Sequence, residues 1–127
     1  MPKFDSEAFY ERLLTFGQKC QNLVSKLPLT VYNNEFGKQL IRSSSSPGAN
    51  YIEALESLSQ KDFTHRLRIC RKESRESGHW LRLIYEANHS IQEISNQAKP
   101  LIIESRELVK ILTASILTLE KKNLSIR

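Results

Sequence analysis

Glutamate and histidine stand three residues apart twice in this chain, as Glu76 with His79 and as Glu86 with His89. On a helix that spacing places a carboxylate and an imidazole on one face, the arrangement from which di-iron bundles draw their ligands. A di-metal centre takes such pairs from two different helices and single glutamates from the others. Here both pairs fall on one predicted helix, about 15 Å apart along its axis. The helix that follows offers Glu104, Glu107 and Glu120 but no histidine. A metal site is therefore not expected, no cofactor is implied, and the histidines are assigned to the surface.

A second pattern crosses the first. His65, Arg68, Lys72, Arg75, His79 and Arg82 recur every three or four residues and so share a helix face. Between Lys61 and Glu86 there are seven Lys or Arg against four Asp or Glu, more than half of the excess behind the chain's net charge of +5. Such a row suits a phosphate backbone, because each cation that neutralises a phosphate releases counterions and arginine adds forked hydrogen bonds. Arg68, Arg71, Lys72, Arg75 and Arg82 are the candidate nucleic-acid contacts. The competing reading is a solvated face whose arginines pair with Glu73, Glu76 or a neighbouring subunit.

Asn50 and Glu53 lie one turn apart and form a third candidate group. With Arg42, Glu73 and Glu76 they are expected to build a polar network that fixes helix register, Asn50 bonding Arg42, Ser46 or the next helix. Acid/base catalysis needs a second positioned group and a pocket. Neither is visible, and the chain has no Ser-His-Asp order and no phosphate-cradling glycine loop; Gly17, Gly37, Gly48 and Gly78 stand singly within helices as points of close approach. No catalytic residue is assigned, and the protein is expected not to be an enzyme.

Four helices must carry these groups, at about 6–27, 31–58, 60–89 and 98–122 in a single domain. Asp5 or Ser6 can cap the first, Thr30 the second, and Ser57 or Ser59 the third. Phe9, Leu13, Phe16, Cys20, Leu23 and Leu27 make one apolar stripe, which Pro28 ends. Phe36, Leu40, Ser44, Tyr51, Leu55 and Leu58 make a second. Pro47 should either kink the second helix or break it, with Ser46 capping a fresh start. Phe63, Leu67, Cys70, Ser74, Ser77, Leu81 and Ile84 line the third. The fourth is expected to begin near Pro100 and to turn Leu101, Leu108, Leu112, Ser115 and Leu119 inward, with residues 121–127 as a tail. The fold expected is an all-α, antiparallel up-and-down four-helix bundle.

Composition agrees. With 4 Gly and 4 Pro the chain lacks the turn density of an all-β fold. Its acidic N-terminal stretch does not suit a signal peptide, and the longest uncharged run, Ile111 to Leu119, is too short to span a bilayer. A cytoplasmic protein without membrane contact is expected. Cys20 and Cys70 fall on apolar helical positions and are read as buried free thiols.

The stretch Ser-Ser-Ser-Ser-Pro-Gly-Ala-Asn-Tyr-Ile-Glu-Ala (43–54), followed by Asp62, Phe63, Lys72, Glu73, Trp80 and Leu81, resembles a bacterial four-helix-bundle family. Its members read approximately Ser-Ile-Gly-Ala-Asn-Tyr-x-Glu-Ala, then Asp-Phe, Lys-Glu and Trp-Leu. The family includes proteins encoded within intervening sequences of large-subunit ribosomal RNA genes and the accessory variability determinants of diversity-generating retroelements. The chain departs from the pattern at Pro47, where an aliphatic residue is usual, and at His79, where an aromatic is common. The resemblance implies a homopentameric ring, with which Ile41, Ile52, Ile69, Leu83 and Ile103 beside the core stripes are compatible. The charge stripe points to a non-enzymatic oligomeric protein that binds RNA or DNA, and the retroelement members of the family add a reverse transcriptase as a candidate partner. A structural or protein-interaction scaffold without specific nucleic-acid binding is the alternative.

Overall fold

In a computed structural model the chain is four α-helices. The structure describes residues 5–126, with side chains through residue 122. Helix α1 spans Ser6–Ser25, α2 Val31–Leu55, α3 Gln60–Ala87 and α4 Gln92–Ile126, and there is no strand among the described residues. Connections of a few residues force each helix to reverse against the last. The packed pairs are α1 with α2, α2 with α3, α3 with α4 and α1 with α4, an up-and-down bundle closed most loosely between α1 and α4.

Local chemistry starts the first three helices. Asp5 accepts from Ala8 N at 3.0 Å, Thr30 from Asn33 N at 3.0 Å and Ser59 from Asp62 N at 3.1 Å. Each side chain satisfies a backbone donor that the first turn leaves without a partner. Of the alternatives open in the sequence, Asp5 and Ser59 are the ones used.

Several boundaries differ from expectation. Helix α1 stops at Ser25, before Leu27, because the Lys26 N–H turns back to Leu23 and Val24 carbonyls. Helix α2 stops at Leu55 instead of 58. The Ser57 N–H bonds the Ala54 carbonyl to reverse the chain, and Leu58, expected on the apolar face, is 100% exposed in the turn. Helix α3 ends at Ala87, with Asn88 as its cap. Helix α4 begins at Gln92 instead of 98, so residues 92–99 are helical and not a connection. Ile94, Ala98 and Leu101 are buried at helical spacing, so core burial carries the helix through Pro100. That ring sits on the exposed side, where water can serve the exposed turn that loses a hydrogen bond. At its other end α4 continues to Ile126, where a tail was expected.

Pro47 does not break α2. Its ring is buried, and its carbonyl accepts from the Cys70 thiol at 3.3 Å, so apolar packing offsets the lost hydrogen bond. The core is one cluster running from Phe9, Leu13 and Phe16 through Leu40 and Leu81 to Leu108, Leu112 and Ile116. Both cysteines are free and buried. Burial pushes the Cys20 thiol up to about 12, against a hydrogen bond with Ser44, and likewise pushes Cys70 to about 12.

Candidate nucleic-acid interface

Helix α3 faces two neighbours and treats them differently. Toward α2, its polar groups are paired. Arg42 reaches across from α2 to Glu73 at 3.0 Å and also pairs with Glu76, and the Trp80 indole N–H donates to Glu76 at 2.9 Å. Arg66 donates to Asn50 Oδ1 at 3.1 Å, while the Asn50 amide is fixed on the Ser46 hydroxyl and carbonyl. Deeper in, Ser77 Oγ meets Ser43 Oγ at 3.0 Å. At the end of the seam Asn33 and Asn88 exchange amide hydrogen bonds of 3.0 and 2.9 Å, both side chains buried. Of the residues expected in a register network, Arg42, Glu73 and Glu76 join Trp80 in one cluster and Asn50 joins Ser46 and Arg66 in another. Glu53 lies outside both: its residue is exposed and lines a shallow cleft with Glu56, Asp62 and Arg66.

Toward α4 the picture changes. Arg75 and Arg82 stand on one wall of an open groove of about 540 Å³, with Arg106 and Lys110 of α4 on the other and His79 beside them. No carboxylate lines it. Arg75, Arg82 and Arg106 make no ion pair or hydrogen bond among the described residues, and Lys110 meets Glu107 of its own helix at 3.4 Å. The helices come close at the groove floor: a Cβ on Gly78 would stand 2.7 Å from Ser105 Oγ. This approach draws cations of two helices onto one small surface, where their mutual repulsion favours an anion.

The five residues singled out from the sequence separate here. Arg75 and Arg82 line the groove, and Lys72 continues their row as an exposed side chain. Arg68 pairs with Glu120 at 3.0 Å, and Arg71, half-buried, donates to Thr113 at 3.4 Å, so both tie α3 to α4 below the groove. Arg106 and Lys110 escaped the sequence reading, because only the packing of α4 shows that they face Arg75 and Arg82. The four-residue spacing of Arg106 and Lys110 was the available signal.

The Glu-x-x-His pairs do not come together. Glu76 is held by Arg42 and Trp80, while His79 lies edge-on to Trp80 at 4.9 Å between centroids. His89 has its Nδ1 3.0 Å from the Glu86 carbonyl, and the described residues contain no cluster of three or more metal-ligating side chains. No helix among the described residues is long and apolar enough to cross a membrane.

Fold and site together define an all-α four-helix bundle with an electropositive seam. The family model for 23S rRNA-intervening sequence protein matches residues 7–114, and the chain belongs to that family. A crystal structure of a protein of unknown function from the S23 ribosomal protein family of Bacteroides thetaiotaomicron VPI-5482 is similar: 29% identity, a TM-score of 0.71, and coverage of 87% of this chain and 96% of that one. A comparison with curated proteins finds no match.

Proposed function

We propose that this chain is a non-enzymatic, oligomeric nucleic-acid-binding accessory protein. The observation that supports it is the convergence of Arg75, Arg82, Arg106 and Lys110 around a groove that no carboxylate lines. Glu73 and Glu76, which could have neutralised α3, are turned away to Arg42. Binding is electrostatic: each cation that meets a phosphate releases counterions, and several copies in one assembly multiply weak contacts into avidity.

A homopentameric ring in the cytoplasm and a reverse transcriptase partner extend this reading on the resemblance to retroelement accessory proteins. Light scattering that returns a monomer sinks the ring. For binding, Arg75→Glu combined with Arg106→Glu should abolish affinity for labelled RNA and DNA while circular dichroism keeps its helical signal. Unchanged affinity refutes the assignment.

A scaffold reading has one observation of its own. Between α1 and α2 a second groove of about 350 Å³, lined by Leu14, Gln18, Ile41, Ala49 and Ile52 among others, holds no charged residue. Ile41 and Ile52 are 43% and 45% exposed there. That surface suits a protein neighbour. It coexists with the basic groove on the far side of the bundle and is the basis of the alternative.

A further inference from the structure

Apart from its arginines, the groove between α3 and α4 has almost nothing with which to hold a base. Proteins that grip single strands stack bases on aromatic faces or hydrogen-bond their exposed edges. No Phe, Tyr or Trp lines this groove, and no Asn or Gln. The rings nearest it are occupied. Trp80 packs toward Phe36 with centroids 6.2 Å apart and gives its N–H to Glu76 on the α2 side. The Tyr85 ring is covered by Lys99, whose ammonium stands 5.7 Å from the centroid. The one ring in the lining, His79, is turned edge-on against Trp80. The one hydroxyl, Ser105, donates to the Ile102 carbonyl at 2.8 Å.

What remains is an array of exposed cations carried on packed helices. Arg75 and Arg82 are two turns apart, about 10 Å along α3. Helices in contact lie about 8–10 Å apart, and the Gly78 to Ser105 approach keeps this pair tight, so Arg106 and Lys110 form a second row at a comparable distance. These separations are on the order of the ~12 Å width of the major groove of B-form DNA. All four cations sit on helices backed by Leu81, Ile84 and Leu108. A surface that reads charge alone favours a double helix, whose phosphates are already ordered and follow one per ~1.7 Å of axis, whereas a single strand carries charge less densely and must first lose its own freedom to reach the same contacts.

From this we infer that the groove is a sequence-indifferent site for the phosphate backbone of a double helix, and not for single strands. The inference rests on the nucleic-acid reading above and narrows it to one ligand chemistry, shared by duplex RNA and duplex DNA. Anisotropy titrations of the full chain test it. The probes are a labelled RNA hairpin duplex, a DNA duplex, an oligothymidylate and an abasic strand, matched in phosphate number and run at one salt concentration.

Both or either duplex should bind at least ~10-fold more tightly than oligothymidylate, and the oligothymidylate and abasic strands should bind alike because no ring stacks on a base. Comparing the two duplex arms identifies which source the site takes. Single strands binding as tightly as duplexes, or a clear loss on removing the bases, overturns the inference while leaving nucleic-acid binding standing. No binding of any probe even at low salt overturns the nucleic-acid reading and the inference with it.

Discussion

The two seams of α3 differ in how their charges end. Against α2, the polar groups of the seam have partners, from exposed Arg42 with its two glutamates to the buried reciprocal Asn33 and Asn88 amides. Against α4, Arg75, Arg82 and Arg106 meet no carboxylate among the described residues. Glutamate and arginine alternate along α3 in sequence, and a linear reading allows them to cancel. The helix sorts them instead: its carboxylates at 73 and 76 turn to one neighbour and its free cations at 75 and 82 to the other. The α2 seam is paired along its length, while the α4 seam, tied lower down by Arg68 to Glu120, is left electropositive at its groove.

Separating the seams by mutation should separate binding from stability. The largest effect is expected from Arg75→Glu with Arg106→Glu, which should lower duplex affinity by on the order of 100-fold or more with little change in melting temperature. Asn33→Ala does the reverse. It leaves the buried Asn88 amide short of its partner, which should cost about 2 kcal/mol and lower the melting temperature by several degrees without altering binding. Arg42→Ala is milder, because the guanidinium is 48% exposed and water screens the pair. About 1 kcal/mol is expected, chiefly from Glu73, whose side chain is only 12% exposed. If Arg42→Ala also weakens binding severalfold, the released carboxylates reach the groove and the two seams are not independent.

At neutral pH the smallest effect lies in the thiols. Burial raises Cys20 and Cys70 to about 12, so the unfolded chain ionises first as pH rises. Their contribution is full below the ordinary thiol range, near pH 8 to 9, and is lost between there and about pH 12. Thiol reagents at pH 8 should leave both cysteines unmodified in the native protein and modify both in denaturant. Reaction of the native protein at the denatured rate contradicts their burial.

Much of the bundle was legible in the sequence, and the reasons are local. Asp5, Thr30 and Ser59 are short side chains that reach the backbone donors of the turn that follows, and the apolar stripes of the first three helices repeat at three and four. The start of the fourth was not legible. Pro100 looks like a first-turn residue, and only the burial of Ile94 and Ala98 shows that the helix is already under way. Pro47 is similar, since its ring finds the core and the thiol of Cys70. For the groove, Arg75 and Arg82 could be named from periodicity on one helix. Arg106 and Lys110 could not, because which face of α4 meets α3 is a property of packing. Nor does spacing reveal that Arg68 and Arg71 are engaged with Glu120 and Thr113.

The most direct test is the salt dependence of duplex binding for two triple variants beside the unaltered chain. One carries Arg75→Gln, Arg82→Gln and Arg106→Gln in the groove; the other carries Lys19→Gln, Lys38→Gln and Lys61→Gln, all exposed and none lining it. Both remove the same net charge. The groove variant should flatten the slope of log affinity against log salt by roughly 2 to 3, and the control should leave it nearly unchanged. Equal losses from both variants would mean that total charge, and not the α3 and α4 seam, holds the nucleic acid.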